Sequence, residues 1–264
     1  MADIFKRLWL INWAEQWQYR ANLLMYLLFW LVSPIVYLSV WTTVAREQGS
    51  VNGMSANDFT AYYMVLLIVD VLTSQISIHV LAPEIQSGQL SNRLLLPVHP
   101  VLGQVLVNNI AFKVLTMIVL VPVWLILYLL FRPVINLTPV NALLAVPAVV
   151  LGFAILFLLG SAITLVAFWT TRVWALWNFY SALWMLFGGH FVPLALLPQA
   201  LQDIARVSPF PYTLSFPILL ILGELSPQEI AANFGMQAVW MVLSYLIFRL
   251  IWRAGLKQFS AVGA

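Results

Sequence analysis

Charged residues are missing from long stretches of this chain, and that decides the solvent in which it folds. Between Arg20 and Arg46 lie 25 consecutive residues without Asp, Glu, Lys or Arg. Further gaps separate Lys113 from Arg132, Arg132 from Arg172, Arg172 from Asp203 and Glu229 from Arg249. A helix of about 20 apolar residues crosses the roughly 30 Å hydrocarbon core of a bilayer. Soluble domains carry about a quarter charged residues, whereas 8% of these 264 residues are charged and 63% are hydrophobic. The sequence predicts an integral membrane protein. No stretch is both long and polar enough for a separate soluble domain, so residues 1–264 read as a single transmembrane domain.

Apolar runs of this length predict helices; a membrane barrel would show short alternating segments. Cysteine is absent, which excludes a disulfide frame and a thiolate metal site. The net charge of +3 fits charge placement about a bilayer, and no nucleic-acid partner is expected. The fold class expected is an all-α polytopic membrane protein with six transmembrane helices and both termini cytoplasmic. The spans fall at about 21–44, 59–80, 111–131, 142–169, 174–197 and 234–252. Residues 3–20 are too interrupted by Asn12, Glu15, Gln16 and Gln18 for a cleavable signal. Trp9, Trp13 and Trp17 recur every four residues on one face, which predicts a helix lying in the interface.

Residues 198–233 hold Pro198, Pro209, Pro211, Pro217 and Pro227. Proline breaks a helix interior, so this stretch reads as a re-entrant outer hairpin of short helices rather than a seventh span. Charge sidedness agrees. With six spans the inner side holds Lys6, Arg7, Arg20, Arg93, Lys113, Arg172, Arg249, Arg253 and Lys257; the outer side holds Arg46, Arg132 and Arg206. Positive charge favours the cytoplasmic side. A seventh span would erase that bias.

No nucleotide-binding signature G-x-x-x-x-G-K-[ST] occurs, and His79, His99 and His190 lie far apart with no carboxylate at ligand spacing. No catalytic residue and no metal site are expected. The loop 81–110 stands out. Glu84, Ile85, Gln86, Ser87, Gly88, Gln89, Leu90 and Arg93 form a brief helix, a break at Gly88 and a second helix running to Leu96, ended by Pro97 and Pro100. Such an element suits force transfer from a partner, and equally suits a connector resting on the bilayer. Asp70 is the one carboxylate deep in a span. A substrate or gating contact and a hydrogen bond to Thr73, Ser74 or Gln75 both fit; the structural reading is favoured because no basic partner is evident at membrane depth. His190, after Gly188-Gly189, reads as mid-span packing more than as substrate contact. Trp177 and Trp184 lie deeper than the interfacial Trp169 and Trp174, and could line a path for an apolar cargo.

Three segments resemble the permease subunits of ABC-2 (type 2) ATP-binding-cassette transporters: Tyr19-Arg20-Ala21-Asn22, the Glu84–Pro100 loop, and Ala205 to Tyr212 through Ser208-Pro209. The resemblance covers essentially the full length. It implies that the 81–110 loop carries a cytoplasmic coupling helix for an ATPase chain, and that 198–233 closes the outer mouth, with Phe210 and Tyr212 at the path. It implies two copies of an ATP-binding-cassette ATPase, which would carry ATP and Mg, since this chain binds no cofactor itself. It also implies a second permease chain, identical or homologous, and the inner membrane of a prokaryote. The expected function is the permease half of an ATP-driven exporter. The competing reading is a secondary transporter or channel, which would need ionisable relays or broken inverted repeats; a membrane scaffold is a third.

Overall fold

The computed structural model describes residues 2–18 and 20–259, and the side chains of these except at residues 2, 20–24, 27 and 29. Tyr19 of the Tyr19–Asn22 segment lies outside the described residues. The fold is all-helical, with no strand among the described residues beyond one isolated bridge between Val51 and Met54. Twelve α-helices follow in order. They are α1 (Ala2–Gln18), α2 (Arg20–Gln48), α3 (Ala56–Thr73), α4 (Ser77–Gln86), α5 (Leu90–Leu94), α6 (Leu106–Phe131), α7 (Pro139–Leu165), α8 (Val173–Phe187), α9 (Gln199–Val207), α10 (Phe210–Thr213), α11 (Ser215–Leu222) and α12 (Pro227–Gln258).

Four stretches are long and apolar enough to cross a membrane: Ala56–Gln86, Pro100–Phe131, Pro139–Phe168 and Pro227–Gln258. The second opens with a π-helical turn, Pro100–Val105. Helix α2 adds 29 residues with Pro34 inside it. Large apolar side chains face outward from these helices. Leu129 and Leu130 on α6, Leu143 on α7 and Leu250 on α12 are each at least 68% exposed. In water this would be an aggregation surface; against acyl chains it is the expected exterior. The core holds α3 against α2, α6, α7 and α11, and α12 against α7.

The chain departs from the expected spans in three places. Helix α8 is 15 residues long, about 22 Å at 1.5 Å per residue, so it falls short of the 174–197 span. It stops at Gly188, and Gly189 takes a φ of +93°, a left-handed conformation that favours glycine. The Gly188–Gly189 pair therefore terminates α8 and is not a mid-span packing site. The last helix begins at Pro227, seven residues before Phe234, because Ser226 and Glu229 form a reciprocal capping box with proline at the first helical position. The third departure is the break between α3 and α4, inside the expected second span.

The proline-rich stretch follows expectation in its local structure: α9, α10 and α11 are all short. Helix α9 is largely exposed, whereas α10 and α11 are sheltered in protein. Phe210 to Ile218 are buried, packed against α3, α7 and α8. Gly152 on α7 permits this, since a Cβ there would lie 2.7 Å from the Thr213 carbonyl. Two ends of the bundle can be told apart. Met54, Glu224 and Glu229 gather at the end where α3 and α12 start, here called the mouth. Gln86, Thr171 and Gln258 gather where α4 and α12 finish, the elbow end.

Candidate functional site

The elbow is α4, a turn at Ser87–Gly88, α5 and the segment leading to α6. Gly88 has φ +77°, so the chain reverses where only glycine does so without strain. Helix α5 ends at Leu94, earlier than the expected run to Leu96. Arg93 donates to both carboxylate oxygens of Glu84, Nε at 2.6 Å and Nη2 at 2.7 Å. Such a planar two-point pairing fixes direction as well as distance. Gln104 extends the brace: its Nε2 donates to the Arg93 carbonyl at 2.9 Å and to the Val98 carbonyl at 3.1 Å. Ile85 and Leu90 are buried in a core shared with Leu165, Phe248 and Trp252. The Gln86 side chain donates to the Thr171 carbonyl at 3.3 Å, in the turn before α8. The elbow is thus joined to α6, α7, α8 and α12.

Glu84, Ile85, Leu90 and Arg93 therefore shape the elbow from within. Among the residues expected to couple, Gln86, Ser87 and Gln89 are exposed. Beside them stand Leu94, Leu95 and Leu96, all exposed, Leu95 by 84%. Sequence reasoning read this run only as helix; its exposure after a polar brace is the signal of a contact surface.

His99 secures the elbow to α6. Its Nδ1 accepts from the Val101 and Leu102 N–H groups, both at 3.1 Å, capping the π-helical turn, and its ring lies 4.9 Å from Trp252. Burial pulls the His99 pKa below its ordinary 6.5. A base whose folded pKa is depressed contributes stability above the unfolded value and loses it as pH falls through the folded one. Amides of Val101 and Leu102 are expected to lose protection, relative to the intrinsic exchange rate at each pH, as pH falls and the ring gains its proton; mass spectrometry of the exchange measures this, and flat protection from pH 7 to 5 would contradict the cap.

The second constellation lies at the break between α3 and α4. A helix interrupted in hydrocarbon must have its freed backbone groups satisfied, since each orphan costs several kcal/mol. Here side chains do so. Asn109 on α6 accepts from the Ile76 N–H at 2.8 Å, and the Gln75 side chain accepts from the Ser77 N–H at 2.7 Å. Lys113 on α6 donates to the Val71 carbonyl at 3.1 Å and to the Ser74 carbonyl. Its ammonium also sits 4.4 Å from the centre of the Phe153 ring. Lys113 is 9% exposed, its ammonium turned into the protein.

Asp70 lies one turn above. Its Oδ1 is 3.0 Å from His190 Nε2. The expectation of no basic partner at depth is overturned by His190. Two further ties hold the turn that carries His190. Tyr62 donates to the Gly189 carbonyl at 2.9 Å, and Tyr63 to the Phe191 carbonyl at 2.7 Å. Trp184 meets the His190 ring edge-on at 4.4 Å. Asp70, Trp184 and His190 border a chamber of about 140 Å³ together with Trp30, Ser33 and Tyr37. Trp177 is next to it, sharing a smaller cleft with Trp184, Ser74 and Gln75. Phe210 packs in the same core as Trp177 and Trp184. Tyr212 does not join the chamber; it faces the mouth, its hydroxyl donating to the Arg206 carbonyl at 2.5 Å. No group of three or more metal-ligating side chains occurs among the described residues.

A sequence profile described as "ABC-2 family transporter protein" matches residues 21–263. The chain belongs to the ABC-2 family of transporter proteins. Membership makes it the membrane permease component of an ATP-binding-cassette transporter, a class that works with an ATPase component. It is a transport component, and its family is not itself catalytic as a rule. No curated protein and no solved structure gave a match to the permease. Trp30, Ser33 and Tyr37 are the chamber residues that sequence reasoning passed over, and Asn109 and Lys113 are the residues it missed at the break beside it.

Proposed function

We propose that this permease is driven as an exporter by two copies of a separate ATPase chain, which dock on the elbow. The observation that carries the reading is a braced, exposed tip joined to four long or core helices in a chain of this family. Gln86, Ser87 and Gln89 would meet polar groups of the ATPase, and Leu94–Leu96 would fill an apolar cleft. Motion of the ATPase pair would push α4 and α12 as one body. The break at Ser74–Ile76 then serves as the joint about which α3 follows. A second permease chain, identical or homologous, would complete the pathway. The chamber of Asp70, Trp184 and His190, with Trp177 and Phe210 behind it, is the gate on that pathway.

The topology follows the charge bias: elbow and both termini cytoplasmic, mouth outside. Helices α9 to α11 dip from the mouth and return, acting as the lid. Helix α1 lies beside α6 in the interface, joined through Asn108, which donates to Asn12 at 2.6 Å. A cysteine replacing Ser226, exposed at the mouth, is expected to react with an impermeant thiol reagent added outside intact cells, and one replacing Ser91 at the elbow only after lysis. The reverse pattern would overturn the sidedness.

A further inference from the structure

The mouth holds a cavity of about 370 Å³ that no step above uses. Its floor is aromatic, formed by Tyr62, Tyr212 and Phe216, all buried. Its polar groups form two poles. At one stands Arg206 near the end of α9, with Gln202 one turn before it. At the other stands Glu224 in the turn before α12. Arg206 has only a solvent-exposed partner, Asp203, at 3.3 Å, and such a pair binds weakly. Glu224 takes part in no ion pair among the described residues. Glu224 is exposed at the rim of the cavity; partial desolvation and the neighbouring Asp58 charge both push its carboxyl above the ordinary range. Helices α3 and α12 begin at this cavity, from Ala56 and Pro227, so in a bilayer it lies at headgroup depth rather than among acyl chains.

We infer that the mouth cavity binds a zwitterionic phosphoammonium group, with the ammonium at Glu224 and the phosphate at Arg206. An aromatic floor beneath a carboxylate suits an organic cation. A guanidinium suits a phosphate through paired donors. The volume is ample for such a headgroup and leaves the chains outside. The same chemistry occurs in a membrane lipid and in a free solute. The inference concerns a site apart from the elbow and the Asp70 chamber, and it stands whether or not an ATPase drives the chain.

The test uses the full chain purified in a maltoside detergent, which carries no charge. Soluble phosphoethanolamine, phosphatidylethanolamine and phosphatidylglycerol are titrated, with retention read by native mass spectrometry. Both ethanolamine compounds are expected to bind the wild type, and Glu224→Gln and Arg206→Gln each to weaken them by roughly tenfold, the loss of one charge-assisted contact. Arg206→Lys should recover part of that loss. Binding of the lipid but not the soluble compound, lost in the same variants, assigns a bilayer source; the converse assigns a solute. Equal retention of phosphatidylglycerol, or variants that bind like the wild type, would overturn the inference. Unchanged elution volume and helical circular dichroism mark each variant as folded.

Discussion

Replacing Lys113 with methionine is expected to lower the unfolding free energy of the permease by about 1–3 kcal/mol, the usual cost of leaving buried acceptors without their donor. The methionine keeps most of the apolar stem and removes only the ammonium. Two carbonyls at the end of α3, those of Val71 and Ser74, would lose their donor. Denaturant unfolding in a single detergent measures the change. Adding Asp70→Asn to Lys113→Met tests whether the carboxylate on α3 and the ammonium on α6 are coupled. A cycle showing strict additivity would mean that the two groups do not sense each other. A loss under about 1 kcal/mol would mean that the break is not held by Lys113.

The second large effect is at the elbow. Arg93→Glu alone or Glu84→Arg alone is expected to cut transport-coupled ATP turnover by about tenfold, with membrane insertion intact. The pair is only partly exposed, 24% and 21%, and charged hydrogen bonds in such settings contribute about 1.5–3 kcal/mol. That amount shifts a braced elbow toward loosened forms by tenfold or more. Because Glu84 and Arg93 hold each other rather than reach outward, exchanging them, Glu84→Arg with Arg93→Glu, should restore most of the turnover. If the exchanged pair stays as impaired as either single variant, each side chain touches the ATPase directly, and the brace is not the reason for their effect.

How much of this was legible in the sequence depends on the range over which each feature is determined. Charge-free runs and proline spacing are local, and they placed the helices and the broken 198–233 stretch. Gly88 marked the reversal of the elbow for the same reason: a left-handed turn has few residue choices. The break at Ser74–Ile76 carries no proline or glycine. It exists because Asn109 and Lys113, more than thirty residues later, supply the partners that its backbone lacks. Lys113 sits near the start of a hydrophobic run, where positive charge ordinarily marks the cytoplasmic surface, and only packing tells that it points inward. Likewise, Asp70 and His190 are 120 residues apart. No periodicity joins them; the early stop of α8 at Gly188 does. Glu84 and Arg93 were singled out, but as contacts for a partner. Nine residues of separation across a glycine turn bring them face to face as a two-point pair.

The measurement that bears most directly on the central claim is a cross-link at the elbow tip. A photoreactive residue replacing Gln89, which is exposed between α4 and α5, is irradiated in native membranes, and the product is identified by mass spectrometry. The account predicts a covalent adduct with an ATP-binding-cassette ATPase whose yield changes when non-hydrolysable nucleotide locks that ATPase closed. An adduct with lipid alone, or with the same yield in every nucleotide state, would contradict it.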